Sequence, residues 1–253
     1  MRSLVSIIIP VYNASKTIEK TIQSVLNQRY NNFEIIIIDD CSTDRSVEII
    51  ENLSKTDKRI LIYKNKNNLG VSLTRNLGIT IARGEFIAFL DSDDIWKPLK
   101  LQRQLDYIKK EDIDLCYTSY EIINDKNETD GDIRFVPRNI NYNNLLKENI
   151  ICCSTVVLKK KLLVKYNFKS DYFHEDFVLW LQLLKDGFKA QGINESLVLY
   201  RKGGRSSDKI KAFKNRWIVY RRSEKLNIFV SLYYIIFYAI NGMKKYYFKF
   251  YSK

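Results

Sequence analysis

The chain has 253 residues, of which 45% are apolar and 28% charged, and its formal net charge is +13. This length and this apolar content predict one large domain, or one domain with an appendage, with enough apolar residues for a real core. The four cysteines have no C-x-x-C spacing and the first residues have no signal-peptide pattern, which argues against secretion and against a cysteine metal site. We expect a reduced, cytosolic compartment.

Strand-like and helix-like segments alternate through the first hundred residues. Continuous apolar runs predict buried strands over 5–11, 33–38, 60–63 and 85–90. Apolar residues at helical spacing predict helices over 15–27, 47–53 and 71–82. This β-α-β-α-β-α-β order with short connections predicts an α/β fold, with a doubly wound, mostly parallel sheet and helices on both faces.

After residue 98 the alternation is looser. Helices are predicted over 99–110, 160–166 and 176–186, and strands over 115–120, 155–158 and 197–200. The polar stretch 124–144 is interpreted as a loop. We therefore divide the chain into a domain over 1–205, with halves 1–98 and 99–205, and a helical, basic and aromatic tail over 206–253.

The tail carries almost all of the net charge. From Arg201 to Lys253 there are 14 lysines and arginines against two acids, which gives +12. Basic residues bracket an uncharged run of 18 residues, 226–243, that contains several aromatic side chains. Because this run reaches only the lower limit of a bilayer span, we predict a helix that lies in the interface of an anionic membrane. A helix packed on the domain, with a solvated basic face, is the alternative.

Acidic clusters follow two of the predicted strands. Asp39 and Asp40 end the second strand, and Asp91, Asp93 and Asp94 follow the fourth. In an extended segment Asp91 and Asp93 point to one side, at the sheet edge where open α/β sheets bind ligands. Neighbouring carboxylate clusters repel each other unless a cation or hydrogen-bond donors lie between them, and a nucleotide with Mn²⁺ or Mg²⁺ would supply both. An acidic turn that ends a strand and caps a helix is the alternative.

Two phosphate-binding motifs are absent from the sequence. No G-x-G-x-x-G follows the first strand, and no G-x-x-x-x-G-K-[ST] occurs anywhere. Their absence argues against a dinucleotide-dependent dehydrogenase and against a P-loop nucleotidase.

Four segments carry a resemblance to a known family. They read VSIIIPVYNASKTIEKTIQSVLNQ, FEIIIIDDCSTDRS, NNLGVSLTRNLGI and GEFIAFLDSDDIW, and the match resumes at His174-Glu175-Asp176. With these segments the chain resembles glycosyltransferase family 2, whose members are inverting enzymes with the GT-A fold, and within it the bacterial surface-polysaccharide glycosyltransferases. The resemblance implies that 1–98 is a nucleotide-binding half and 99–205 an acceptor-binding half.

The resemblance also implies a donor site at the strand ends. Asp39 resembles the carboxylate that accepts a hydrogen bond from the uracil N–H, and Arg75 is similar to an arginine near the base or the diphosphate. Asp91 corresponds to a residue near the ribose or a metal-bound water, and Asp93 to a direct ligand of Mn²⁺ or Mg²⁺. The donor-binding candidates are Pro10, Val11, Tyr12, Asn13, Asp39, Asn68, Arg75, Asp91, Ser92, Asp93, Lys202 and Arg205, and the metal candidates are Asp91 and Asp93.

One loop departs from the family pattern. Many relatives have a Tyr-Arg-x-His sequence after the last core strand, whereas this chain has Gly203 at the histidine position. Lys202 and Arg205 are the candidates to offset diphosphate charge there instead.

The catalytic candidates begin a predicted helix. Glu175 and Asp176 match the family's Glu-Asp pair, which implies that Asp176 is the general base that takes the proton of the acceptor hydroxyl. Two first-turn acids favoured by the helix dipole are the alternative. His174, the only histidine, and Trp180 are candidates for acceptor contact, with a purely structural histidine as the alternative.

These inferences predict an inverting, metal-dependent transferase that moves a sugar from a UDP-sugar to a hydroxyl of a lipid-linked saccharide. Its expected place is peripheral, at the inner face of a bacterial cytoplasmic membrane, and its oligomeric state is open. A nucleotidyltransferase is an alternative, although that class usually has a glycine-rich basic loop after the first strand. A nucleic-acid-binding protein is another, but the basic residues here bracket an apolar run instead of forming a polar stripe, so no nucleic-acid partner is expected.

Overall fold

A computed structural model describes residues 3–203 and 209–251 of the chain, with the side chains of 3–203 and 210–243. The strands are β1 (Val5–Val11), β2 (Phe33–Asp39), β3 (Ile60–Lys64), β4 (Phe86–Phe89), β5 (Ile95–Trp96), β6 (Leu115–Ile123), β7 (Thr129–Arg134), β8 (Val157–Lys159) and β9 (Ala190–Arg201). The α-helices are α1 (Ile18–Leu26), α2 (Ser46–Thr56), α3 (Val71–Ile81), α4 (Lys100–Glu111), α5 (Tyr142–Lys147), α6 (Glu175–Lys185), α7 (Lys209–Ile218) and α8 (Ile228–Tyr251). Short 3₁₀ turns occupy Cys153–Thr155 and Lys160–Val164, and Val219–Ser223 is a π-helical turn.

The strands form one mixed sheet in the order β3-β2-β1-β4-β8-β6-β9-β5, with β7 paired to β6. β1 runs parallel to β2 and β4, and β2 runs parallel to β3, so the carboxyl ends of these four strands meet at one edge. The second half adds the parallel pair β6–β9 and the antiparallel pairs β4–β8, β6–β8, β6–β7 and β5–β9. The α/β fold predicted from the alternation is confirmed.

The stretch 124–144 is not the loop that its polar composition predicts. β7 and the start of α5 lie in it, and β7 forms an antiparallel hairpin with β6. The sequence of β7, TDGDIR, lacks an apolar face because the strand pairs on one side only and is largely exposed. The two-residue strand β5 has no local signal either, since its pairing with β9 alone defines it.

Helices cover both faces of the sheet because successive residues of β1 point to opposite sides. Ile7 and Ile9 share one core with Ile18 and Ile22 of α1 and with apolar residues of α2 and α4. Ile8 lies in the second core, with residues of α3, α5, α6 and α8. Burial of each such side chain stabilises the fold by about 1.5–3 kcal/mol.

Helix α3 approaches β1 closely at Gly78. A Cβ atom at this position would lie 2.5 Å from Cγ2 of Ile8, so only glycine allows this packing distance. The close contact fixes α3, the helix that carries Arg75, above the strand ends.

The C-terminal helices pack on the face covered by α5 and α6. The Tyr220 side chain is fully buried and its hydroxyl donates to the carbonyl of Leu146 at 2.6 Å. Tyr142 donates to Oε2 of Glu224 at 2.7 Å, which ties α5 to the end of the π-helical turn. α8 contains residues 228–243 of the helix predicted over 226–243, whereas residues 226 and 227 precede it. Over the described residues, no helix is both long and apolar enough to cross a membrane.

Candidate active site

The turn after β1 is tied to the turn after β2. Pro10 and Val11 are buried in the strand, whereas Tyr12 and Asn13 are exposed beyond its end. Asn13 has a left-handed backbone (φ 50°), and its Oδ1 accepts a hydrogen bond from the Thr43 backbone N–H at 2.8 Å. Asparagine tolerates this conformation better than most residues. The two turns therefore form one connected rim at the edge of the sheet.

The neighbouring acids Asp39 and Asp40 have different partners. The Asp40 carboxylate accepts hydrogen bonds from the Asn65 side chain and from the backbone N–H groups of Leu69 and Gly70, each at 2.8 Å. These bonds hold the loop that leads into α3. The buried Asp39 carboxylate accepts only a longer bond from the Ser42 N–H, at 3.2 Å, among the hydrogen bonds of the described residues. Of the two, Asp39 retains more acceptor capacity for a ligand.

The Asp91-Ser92-Asp93-Asp94 turn is held from below by α1. The Ser92 carbonyl accepts hydrogen bonds from the hydroxyls of Thr17 and Thr21, at 2.9 and 3.1 Å. Burial, with the nearby Asp91 charge, raises the pKa of Asp93 to about 6. Burial also raises the pKa of Asp94 well above its usual value. The turn thus brings three carboxyl groups together, of which Asp93 is partly buried and Asp94 fully buried, at a cost to their ionised forms.

Arg75 connects this turn to the start of α6. Its guanidinium donates to Oδ1 of Asp91 at 2.5 Å and to Oε1 of Glu175 at 2.8 Å, and the side chain is only 2% exposed. The ring of Phe168 lies 5.2 Å from the guanidinium carbon. The arginine predicted near the base or the diphosphate therefore lies between a donor-side acid and a catalytic candidate.

Asp176 lies half-buried in the first turn of α6. Its Oδ1 accepts a hydrogen bond from the Phe177 N–H at 2.7 Å. Burial, followed by the charge of Glu175, raises the pKa of Asp176 to about 6, while the positive charge of Arg75 opposes this rise. A carboxylate with this pKa is ionised at neutral pH and is a stronger base than an ordinary aspartate, as general-base catalysis needs.

The two acceptor candidates differ in their placement. His174 directly precedes α6, half-buried, with its ring against that of Phe173 at 4.9 Å. Trp180 is 0% exposed and packs against Phe89 and Phe168 in the core. The structure contradicts the acceptor contact predicted for Trp180, because a ring enclosed on all sides cannot touch a ligand.

Sequence reasoning missed Arg201, the last residue of β9. Its backbone N–H donates to Oδ1 of Asp94 at 2.9 Å and its Nε donates to the carbonyl of Asp93 at 3.0 Å. Its other two nitrogens bind the carbonyl of Asn124, at 2.6 Å, and Oδ1 of Asn127, at 2.5 Å. Arg201 therefore links the acidic turn to the β6–β7 hairpin. A charged residue that ends a buried strand was the signal available in the sequence.

Three further donor candidates have weaker structural support. Lys202 is exposed, and its backbone N–H donates to the Ile123 carbonyl at 3.0 Å. Asn68 is exposed in the loop before α3. Arg205 lies outside the described residues.

The acidic turn fits a cation that is shared with a ligand. Among the described residues no group of three or more His, Cys, Asp or Glu side chains is arranged to hold a metal ion. Asp91 and Asp93 nevertheless offer hard carboxylate oxygens. Burial, followed by the charge of Asp91, raises the pKa of Asp93, and a bound cation would stabilise its ionised form. Mg²⁺ and Mn²⁺ commonly take one or two carboxylates together with ligand phosphates.

Known proteins resemble this chain over its whole length. TuaG of Bacillus subtilis, described as a putative teichuronic acid biosynthesis glycosyltransferase, is 37% identical over 246 residues, which cover 96% of this chain and 98% of that protein. WfgD of Escherichia coli, a UDP-Glc:alpha-D-GlcNAc-diphosphoundecaprenol beta-1,3-glucosyltransferase, is 41% identical over 248 residues, which cover 96% of this chain and 94% of that protein.

Solved structures share the fold at low sequence identity. Staphylococcus aureus TarS 1-349 in complex with UDP-GlcNAc matches with a TM-score of 0.71 and 19% identity, over 93% of this chain and 71% of that one. The mannosyltransferase PcManGT of Pyrobaculum calidifontis, in complex with GDP-Man and Mn²⁺, matches with a TM-score of 0.70 and 17% identity, over 90% and 66% of the two chains.

The sequence profile described as Glycosyl transferase family 2 matches residues 6–165. This range includes β1, β2 and β4, the turn that carries Asp91 and Asp93, and Arg75. Together with the two relatives, the match leads to one conclusion. The chain is a glycosyltransferase of family 2 with a GT-A fold, similar to bacterial surface-polysaccharide glycosyltransferases.

Proposed function

We propose that the chain is an inverting, divalent-metal-dependent glycosyltransferase that moves a sugar from a UDP-sugar to a hydroxyl of a lipid-linked saccharide. The observation that carries this proposal is the bridge through Arg75, which brings Asp91 and Glu175 within hydrogen-bond distance of one guanidinium. These acids are far apart in sequence and belong to the two halves of the fold. Their convergence is what a transferase needs, because donor and acceptor must meet at one point.

The proposed reaction is a single displacement. Asp176 takes the proton of the acceptor hydroxyl while that oxygen forms a bond to the anomeric carbon of the donor. The bond from this carbon to the diphosphate oxygen breaks, and the nucleoside diphosphate leaves with the bonding electrons. Arg75 fixes Glu175 and thereby keeps the start of α6 in place. A divalent cation held by Asp93, with Asp91 nearby, would neutralise charge on the departing diphosphate.

The donor assignment rests on the rim of the sheet and on the relatives. We assign binding of the nucleobase to the turn Pro10–Asn13 and to Asp39, whose carboxylate can still accept a hydrogen bond from a uracil N–H. WfgD is named for a UDP-glucose donor, and TarS was solved with UDP-GlcNAc. Asn68, Ser92, Lys202 and Arg205 complete the proposed donor site.

The acceptor assignment follows the names of the full-length relatives. WfgD is named for a diphosphoundecaprenol-linked acceptor, so a saccharide on a lipid diphosphate is the acceptor class that we propose here. His174, beside Glu175 and half-buried, is the remaining proposed acceptor contact. A lipid-linked acceptor requires work at a membrane surface, which we assign to the inner face of the cytoplasmic membrane.

A donor screen tests the proposal. Release of nucleoside diphosphate is measured from UDP-, GDP- and dTDP-sugars, each with Mn²⁺ and with EDTA. We expect turnover of one UDP-sugar in the presence of Mn²⁺ only. Turnover of a GDP-sugar alone would refute the assignment of the nucleobase as uracil, and full activity in EDTA would refute the role of the metal.

The substitution Asp176→Asn tests the role of Asp176 as the general base. This variant should lose transfer by a factor of 10² or more, at the lower end of general-base effects of about 10²–10⁴, and should keep the rise in melting temperature caused by UDP with Mn²⁺. In the unsubstituted chain the rate should fall as the pH drops through about 6, the pKa of Asp176, because the protonated acid cannot accept a proton. Asp112→Asn is the matched control, since Asp112 is exposed at the opposite end of β6 from the site. Normal transfer by Asp176→Asn would refute the assignment.

A further inference from the structure

The helix α8 has an apolar side that faces solvent. Its inner side is buried on the domain, through Ser231, Tyr234 and Ile235. Its outer side carries large exposed side chains at helical spacings of three and four residues, among them Phe229 at 80% and Ile236 at 55% exposure. The outer face consists of Phe229, Leu232, Tyr233, Ile236, Ile240 and Met243. A helix on the surface of a soluble domain normally turns polar residues outward, so this arrangement indicates a partner.

Helix α7 packs on the inner side of α8. The ring of Phe213 in α7 lies 6.5 Å from that of Tyr238, which follows Ser231 by two helical turns and so shares its side of α8. We call the exposed apolar residues on the outer face of α8 the outer platform. Among the described side chains, exposed basic residues lie in α7 and in the turn that leads to α8, namely Lys211, Lys214, Arg221, Arg222 and Lys225.

Helix α7 adjoins the chain segment that holds the proposed general base. The guanidinium of Arg216 in α7 lies 3.7 Å from the ring of Phe177, the residue after Asp176. The ammonium of Lys211 lies 4.8 Å from the ring of Phe173, two residues before Glu175. Helix α7 therefore touches the chain on both sides of the Glu175-Asp176 pair.

We propose that the outer platform docks the protein on an anionic bilayer, with α7 as the connection between α8 and the start of α6. Apolar side chains would enter the region between headgroups and acyl chains, while the flanking basic residues would contact anionic lipid headgroups. A second copy of the chain fits less well, because two surfaces of this positive charge repel each other. Nucleic acid fits less well because an apolar face offers nothing to phosphates. The docking on the bilayer does not depend on the proposed function. That this docking presents a lipid-linked acceptor to the site rests on the proposed function.

Sedimentation with vesicles tests the docking. The full chain is mixed with vesicles of phosphatidylcholine alone or of phosphatidylcholine with phosphatidylglycerol, and the bound fraction is measured at low and at high salt. We expect binding to the anionic vesicles, weakened at high salt by screening. A chain that stays in the supernatant with anionic vesicles, or that binds both compositions equally, would overturn the proposal.

Two variants separate the apolar and the ionic contributions. Phe229→Gln combined with Ile236→Gln should weaken vesicle binding about a hundredfold, because loss of each buried side chain costs about tenfold. Arg222→Glu changes the charge by two units, and each unit is worth about fivefold. Val164→Gln is the matched control, since Val164 is 86% exposed on the catalytic domain and should leave binding unchanged. Unaltered binding by the double variant would overturn the proposal.

Two further readouts identify the remaining outcomes. Light scattering that reports a dimer for the unsubstituted chain and a monomer for the double variant would show that the face joins two copies, and would overturn the docking. The melting shift caused by UDP with Mn²⁺, measured without vesicles, reports the donor site independently. If the unsubstituted chain shows no such shift but still binds vesicles, the proposed function is refuted and the proposed docking is not.

Discussion

Replacement of Arg75 by methionine should leave the buried Glu175 carboxylate uncompensated and so lower the free energy of unfolding. Arg75 and Glu175 are both almost completely buried and are joined at 2.8 Å. Removal of one partner of a buried ion pair costs about 3–5 kcal/mol, because the other charge stays buried without compensation. Arg75→Met should therefore lower the free energy of unfolding by about this amount at pH 8. Arg45→Met is the control, since Arg45 is mostly exposed and its ion pair with Glu48 is screened by solvent, so its removal should leave stability nearly unchanged.

A second variant isolates this charge. Glu175→Gln in the Arg75→Met background should recover most of the loss, because neither charge of the buried Arg75–Glu175 pair remains. Urea unfolding of the single and the double variant measures the effect.

Arg75 also affects the pH below which the reaction rate falls. Its positive charge lowers the pKa of Asp176 against the effect of burial. In Arg75→Met this pKa should rise above about 6, and the pH at which the residual rate falls should rise with it. The reasoning is refuted if the stability losses of Arg75→Met and Glu175→Gln simply add in the double variant, and if the pH at which the rate falls does not move.

Further outcomes follow from other buried residues. Burial lowers the pKa of Lys100 from 10.5 to about 7, so the free energy of unfolding should rise with pH between those values. Lys100→Met should stabilise the protein against urea. The gain in free energy of unfolding over the unsubstituted chain should shrink by about 2 kcal/mol between pH 6.5 and 8.5. An equal gain at both pH values would contradict the burial of a titrating amine. Arg201→Gln should weaken Mn²⁺ binding in the presence of UDP, measured by electron paramagnetic resonance, and should spare UDP binding without metal, because Arg201 holds the main chain at Asp93; equal loss of both would make its role a general one in folding. Gly78→Ala should destabilise by about 1–3 kcal/mol in urea unfolding, since its Cβ would overlap with Ile8; a neutral result would mean that α3 shifts freely.

The sequence by itself determined the first half of the fold and the place of the acidic clusters. Continuous apolar runs and helical stripes are local signals, and their alternation predicts parallel strands whose carboxyl ends meet at one edge. Asp39, Asp91 and Asp93 were therefore predicted as site residues from their positions at the strand ends. Family motifs then added Asp176, which no periodicity identifies.

Only the tertiary structure decided which of these residues meet. Arg75 and Glu175 are 100 positions apart, and the crossing of α3 over the strand ends makes them partners. Trp180 lies on an apolar helix, and packing against two other rings, not its position four residues after Asp176, determines that it belongs to the core. β7 and β5 exist because neighbouring strands supply their hydrogen bonds. Long-range pairing and burial have no local signature, so the chain order alone could not reveal them.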